Sequence, residues 1–182
     1  MSQAVLISIR PKWCSKIANG EKTIEVRKTR PKVNPPFKCY IYCTVGGIKK
    51  MPKDYIAENF ERGKVIGEFM CDRIYELETK TLGGSYYVKG ENQPTTNDVA
   101  RQSCIELRDM HAYLHTQRGY GWHITDFKLY DKPLPLRTFK KWFRECAYSA
   151  LGLAIPDCEK CTDSGCFVQK PPQSWFFVEE LA

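Results

Sequence analysis

The first 53 residues contain almost no acid. Glu21 and Glu25 are their only carboxylates, against twelve lysines and arginines, a local charge of +10. Residues 54–182 hold sixteen bases and nineteen acids, so the chain's net +7 arises in its first third. A basic field of this kind favours polyanions or phosphates as partners. The plainer reading is a solvated surface that aids solubility, but proline, aromatic and basic residues interleave here where a plain lysine tail would not. Missing as well is any run of about 18 apolar residues, so no helical membrane span is expected. The N-terminus has no basic flank followed by a long apolar stretch, which argues against a secretory signal and makes the cytoplasm the expected compartment. Internal repeats and low-complexity linkers are also lacking. The nine cysteines are odd in number and, without a signal, no disulfide framework is expected from them.

What is present suits one α+β domain over 1–182, with an elaboration near its end. Residues 4–9 form a strand-like apolar run. Pro11–Ala18 follows as an amphipathic helix with proline in its first turn, stopped by Asn19-Gly20. Strands are expected at 22–28, 38–45, 64–77, 122–130 and 173–180, and helices at 97–116 and 139–151. The stretch 79–97 reads as loop. Cys39, Cys43 and Cys71 lie in strand-like runs and read as small buried hydrophobes; Cys14 and Cys146 fit the same role in helices.

One octapeptide stands out: Gly20-Glu21-Lys22-Thr23-Ile24-Glu25-Val26-Arg27. A helix stop feeds directly into a strand dense in ionisable groups. With regular alternation Lys22, Ile24 and Val26 point one way, and Thr23, Glu25 and Arg27 the other. The segment resembles the G-x-K-x-x-E-x-R signature of the ASCH domain, a branch of the PUA-like superfamily, with Gly20, Lys22, Glu25 and Arg27 at the motif spacing. The preceding strand-like 4–9 and Arg10-Pro11-Lys12-Trp13 agree with that family's first strand and helix. The resemblance implies a small PUA-like mixed β-barrel of about six strands with helices at the rim. It also implies a cleft between the first helix and the barrel, lined by the motif.

In that cleft Lys22 would contact a phosphate or serve as a base, Glu25 would accept a proton or hold Lys22, and Arg27 would grip a phosphate or carboxylate with paired hydrogen bonds. Arg10 and Trp13 add a cation and a stacking face. From spacing alone, a salt-bridged structural strand explains the same residues, and core packing explains Trp13. The reading that follows is an RNA- or nucleotide-binding domain. The alternatives are an enzyme using the same cleft through Lys22 and Glu25, and a non-catalytic interaction scaffold. Two enzyme forms are implied by the family: a ribonuclease, for which Tyr40 and Tyr42 are available, and an amidohydrolase of N4-acylated cytidine. The second needs a threonine three residues after the lysine, where this chain has Glu25. Glu68 is a candidate second acid, though a salt-bridged strand residue is the plainer reading. His123 is read as structural and Trp175 as core.

Cys158, Cys161 and Cys166 form C-x-x-C-x-x-x-x-C in a polar loop within an insertion at about 152–172. Three thiolates suit a structural zinc if a fourth ligand comes from elsewhere; three reduced loop thiols are the alternative. His111 and His115, four apart on one helix, also have ligand spacing. Zinc is the one cofactor the sequence suggests.

Overall fold

The computed structural model describes residues 2–45, 62–79, 84–115, 118–142 and 167–181. Strand β1 (Gln3–Ile9) leads into helix α1 (Pro11–Ala18), then β2 (Ile24–Arg27) and β3 (Phe37–Cys43). β4 (Val65–Cys71) and β5 (Ile74–Thr79) follow, then the short β6 (Tyr86–Val88). Helices α2 (Thr96–Ser103) and α3 (Leu107–Leu114) precede β7 (Arg118–His123) and β8 (Thr125–Leu134), and β9 (Trp175–Glu179) is the last described strand. The α+β class holds. The nine strands among the described residues lie in two sheets, ordered β8-β4-β3-β1-β9 and β2-β7-β5-β6, which do not close into a barrel. More strands appear than the hydrophobic runs suggested because 64–77 and 122–130 each cross a break, at Asp72-Arg73 and at Ile124, and pass from one sheet to the other.

Side-chain alternation on these strands builds three apolar layers. Val5, Ile7 and Ile9 of β1, with Cys39 and Ile41 of β3, face Trp122 of β7 and the underside of α1 through Cys14 and Ile17. This is the core between the sheets. On the outer face of the five-stranded sheet, Leu6, Tyr40 and Tyr42 pack with Phe139, Val168 and Val178. On the outer face of the four-stranded sheet, Ile24, Val26 and Leu77 are covered by Val99 of α2 and by Met110 and Leu114 of α3. Burial pushes the thiol of Cys39 up, and that of Cys71 to about 12, so both remain neutral in the core as expected of small hydrophobes.

α1 starts on Pro11 with no side-chain cap and stops where Gly20 takes φ +73°, a conformation that suits glycine. The single helix expected over 97–116 is two helices. Thr95 opens α2 with a capping box: its hydroxyl accepts from the Asp98 amide at 3.1 Å, and its own amide donates to Asp98 at 3.0 Å. Cys104 then turns left-handed at φ 56° and ends the helix after Ser103. The helix expected from Phe139 is also revised at its start. Lys140 and Lys141 are extended, bridging Phe167 and Val178, so this segment pairs with the outer edge of β9. Residues 143–151 lie outside the described set, as does Cys146.

Gly67 has a packing reason. It sits beside a register shift in the β4–β8 pairing, where an added Cβ would run into the carbonyl oxygen of Lys128. Backbone cannot rotate aside as a side chain would. Gly67→Ala should therefore lower stability by about 1–3 kcal/mol, read as a lower urea midpoint with an unchanged slope.

Candidate functional site

Lys22 lies just ahead of β2, not in it, so strand alternation does not govern its direction. It turns to the same side as Glu25 and Arg27, and the three form one buried cluster. The Lys22 side chain has no exposed surface, and those of Glu25 and Arg27 are 8% and 10% exposed. A buried ammonium needs an acceptor for each proton. Lys22 Nζ donates to the Ile24 and Ser103 carbonyls, both at 2.8 Å, and lies 3.1 Å from Glu25 Oε2. The Ser103 carbonyl belongs to the last residue of α2, at the negative end of that helix, where a cation is favoured. The ring of Trp13 lies 5.2 Å from the same ammonium.

Glu25 divides its two oxygens between cations: Oε2 faces Lys22, and Oε1 is 3.0 Å from Arg27 Nε. The latter is an ion-pair contact whose N–H is not aimed for a hydrogen bond. Arg27 Nη2 donates to the Ser8 carbonyl at 2.5 Å, and Nη1 reaches Ser174 Oγ at 3.5 Å. Arg27 thus ties β2, the edge of one sheet, to β1 and the approach to β9 in the other. Burial pushes the Glu25 carboxyl up, but the charges of Lys22 and Arg27 outweigh it and hold the group below its ordinary 4.5. The carboxylate is ionised at neutral pH, and the cluster of two cations and one anion carries a net +1.

Around this floor stand cations without carboxylate partners. Glu21, the other acid of the basic segment, is taken by Lys16 at 2.6 Å. Among the described residues Arg10, Lys12 and Lys28 have no carboxylate within ion-pair distance, and all three are exposed. Lys12 sits 4.7 Å from the Trp13 ring, and Trp13 is half-buried, with part of its ring on the central core. Trp13 therefore combines the packing and exposed-face roles that the sequence allowed as alternatives. Tyr113 of α3 joins this group, with Lys28 Nζ 5.4 Å from its ring. An exposed contact of that kind is worth about 0.5–1 kcal/mol. Nothing in the octapeptide points to Tyr113; the only sequence signal is an aromatic one residue before an apolar position on a helix.

Other candidates stay apart from the cluster. Tyr40 and Tyr42 face the opposite side of the five-stranded sheet, and the Tyr40 hydroxyl accepts from the Leu181 amide at 2.9 Å. Glu68 accepts from the Tyr130 hydroxyl at 2.6 Å on that same side, with Lys38 at 3.9 Å. His123 pairs with Asp72 at 2.7 Å. His111 packs edge-on against Tyr86, and His115 ends α3 in a left-handed turn. Among the described residues no three His, Cys, Asp or Glu gather as a metal site. Cys158, Cys161 and Cys166 lie outside the described residues. A surface depression of about 450 Å³ is lined by Lys141, Trp142, Gln169, Lys170, Phe176 and Phe177 and includes no residue of the motif.

No protein-family model matches the sequence, and no curated protein matches it. Solved structures do. An ASCH protein from Zymomonas mobilis is 16% identical with a TM-score of 0.56, covering 97% of this chain and 88% of its own. A tyrosine-to-phenylalanine mutant of that protein gives 16%, 0.55, 97% and 91%, and a serine-to-alanine mutant 16%, 0.56, 97% and 89%. The fold is ASCH-like. In this ASCH-like chain the alignment spans nearly everything, helices and both sheets included. No helix among the described residues is long and apolar enough to cross a membrane.

Glu25→Gln should test the cluster directly. The substitution leaves two buried cations without their anion and should cost about 3–5 kcal/mol. The pH dependence has a definite sign. Because the folded carboxyl is held below 4.5, acidification protonates the unfolded chain first. The stabilisation from Glu25 is complete above that ordinary value and is lost as pH falls through the folded one. Urea titrations at stepped pH should show this acid-side loss in the wild type and a flatter profile in Glu25→Gln.

Proposed function

We propose that this protein binds single-stranded RNA or a nucleotide in the cleft between α1 and the sheets, over the Lys22–Glu25–Arg27 floor. The observation that carries the reading is the charge count: a buried cluster of net +1, bordered by Arg10, Lys12 and Lys28, with both nearby acids already engaged. Such a site attracts phosphate, and Trp13 at its edge offers a face for an unstacked base. Base stacking of that sort contributes about 1–3 kcal/mol per base. The ASCH-like fold is compatible with this ligand class.

The geometry supports binding over acid–base chemistry. Lys22 Nζ spends its three donor positions on the Ile24 and Ser103 carbonyls and on Glu25. Glu25 is kept ionised between two cations, a poor setting for taking up a proton. Both groups are therefore read as buried charges whose field draws the ligand to the site, and Arg10 and Trp13 as the rim that meets the ligand first.

Fluorescence anisotropy of a short labelled single-stranded RNA tests the proposal. Wild type should bind saturably, with affinity falling as salt rises. Arg10→Ala should weaken binding and flatten the logarithmic salt slope by about 0.7, the share of one phosphate contact on a single strand. Absence of wild-type binding at low salt would sink the RNA reading. Shortened RNA recovered from the same mixtures would move the site to the hydrolases.

A further inference from the structure

α3 is separated from the octapeptide by about eighty residues of sequence, yet it brings an aromatic to the cleft's border. Tyr113 is 42% exposed, the partner of no core cluster, while its neighbours Met110 and Leu114 anchor the helix. Lys28 follows Arg27 directly, and its ammonium lies over the Tyr113 ring. The Tyr113 hydroxyl is held above its ordinary value by burial, while Arg27 lowers it, Glu25 raises it and Arg10 lowers it. It thus senses the motif and the start of α1 together, which agrees with its place at the cleft.

Resting on the RNA-binding reading above, we infer that Tyr113 is a base-stacking platform, with Lys28 as its exchangeable cover. In the free protein the lysine occupies the ring face. When a strand enters, a base takes the ring and Lys28 moves to the phosphate beside it. The direction of the exchange follows from relative strengths: an exposed cation–π contact is weaker than base stacking, and a lysine freed from the ring gains a phosphate. Stacking needs a base whose face is free, so the site selects unpaired strands. In a duplex both faces of each base are already stacked, and only the phosphates are offered. Arg10 and Lys28 then read the backbone, and Trp13 and Tyr113 read exposed bases, from two helices that belong to different parts of the sequence.

The test compares wild type, Tyr113→Ala, Tyr113→Phe and Lys28→Ala on the same labelled single-stranded RNA and on a duplex of equal length. Tyr113→Ala should weaken single-strand binding at least about fivefold. Tyr113→Phe, which keeps the ring, should bind within about twofold of wild type. Lys28→Ala should lose salt sensitivity more than stacking. The wild type should prefer the single strand, and Tyr113→Ala should lose much of that preference. Thermal unfolding of Tyr113→Ala should stay near wild type, since the residue is exposed. Wild-type binding that Tyr113→Ala leaves unchanged would overturn the platform while leaving the RNA reading standing. A Tyr113→Phe as weak as Tyr113→Ala would assign the effect to the hydroxyl and overturn it equally. Failure of the wild type to bind either RNA would remove both readings together.

Discussion

The Lys22 ammonium is the constraint on which the site and its surroundings depend. A cation with no exposed surface is tolerated only when its protons are spoken for. Here one acceptor is the backbone at Ile24, one is the end of α2 at Ser103, and one is Glu25. Each fixes a different part of the molecule. The Ile24 contact sets the entry into β2. The Ser103 contact requires that α2 end where it does, because a continuing helix would claim that carbonyl for its own ladder. Cys104 turns left-handed at that point, its thiol reaches the Glu21 carbonyl at 3.3 Å and the Thr23 amide donates to the Gln102 carbonyl at 2.9 Å, so the helix end and the octapeptide are joined at several points.

Arg27 extends the same charge network across the gap between the sheets. β2 is an edge strand, and an edge exposes unpaired backbone groups. Arg27 answers the Ser8 carbonyl of β1, while the Ser8 amide donates to the Ser174 carbonyl and its hydroxyl to that of Pro172. The two sheets therefore meet through side-chain and turn contacts, not a continuous ladder. The result is an architecture of two separate sheets joined at this seam. It explains why Glu25 must stay charged: without it, Lys22 and Arg27 would repel each other inside a water-poor seam.

Much of this was legible in the residues. Gly20 and Asn19 announced the end of α1, the cysteines of β3 and β4 announced a core, and the octapeptide announced a polar site. Less visible was how the pieces meet. Regular alternation put Lys22 and Glu25 on opposite faces, and it failed because Lys22 stands outside the strand, where three acceptors determine its direction. The apolar spacing of 97–116 is continuous through Cys104, so periodicity gave no sign of a break made by a tertiary contact. Tyr40, Tyr42 and Glu68 looked available because sequence does not say which face of a sheet a cleft uses. Tyr113 was silent for the converse reason: an exposed aromatic on an amphipathic helix has meaning only once its neighbours across the chain are known.

A site so bound into the fold has a consequence for where specificity resides. Lys22, Glu25 and Arg27 each support the packing of helices and sheets, so none is free to vary with the ligand alone. The cationic floor is thus part of the fold of this chain. Its rim is less constrained. Arg10, Lys12, Lys28 and the exposed face of Tyr113 touch solvent and hold little of the structure. In the proposed reading the floor supplies attraction for an anion and the rim decides which anion is kept. A fold can persist while the residues at the mouth of its site change chemistry.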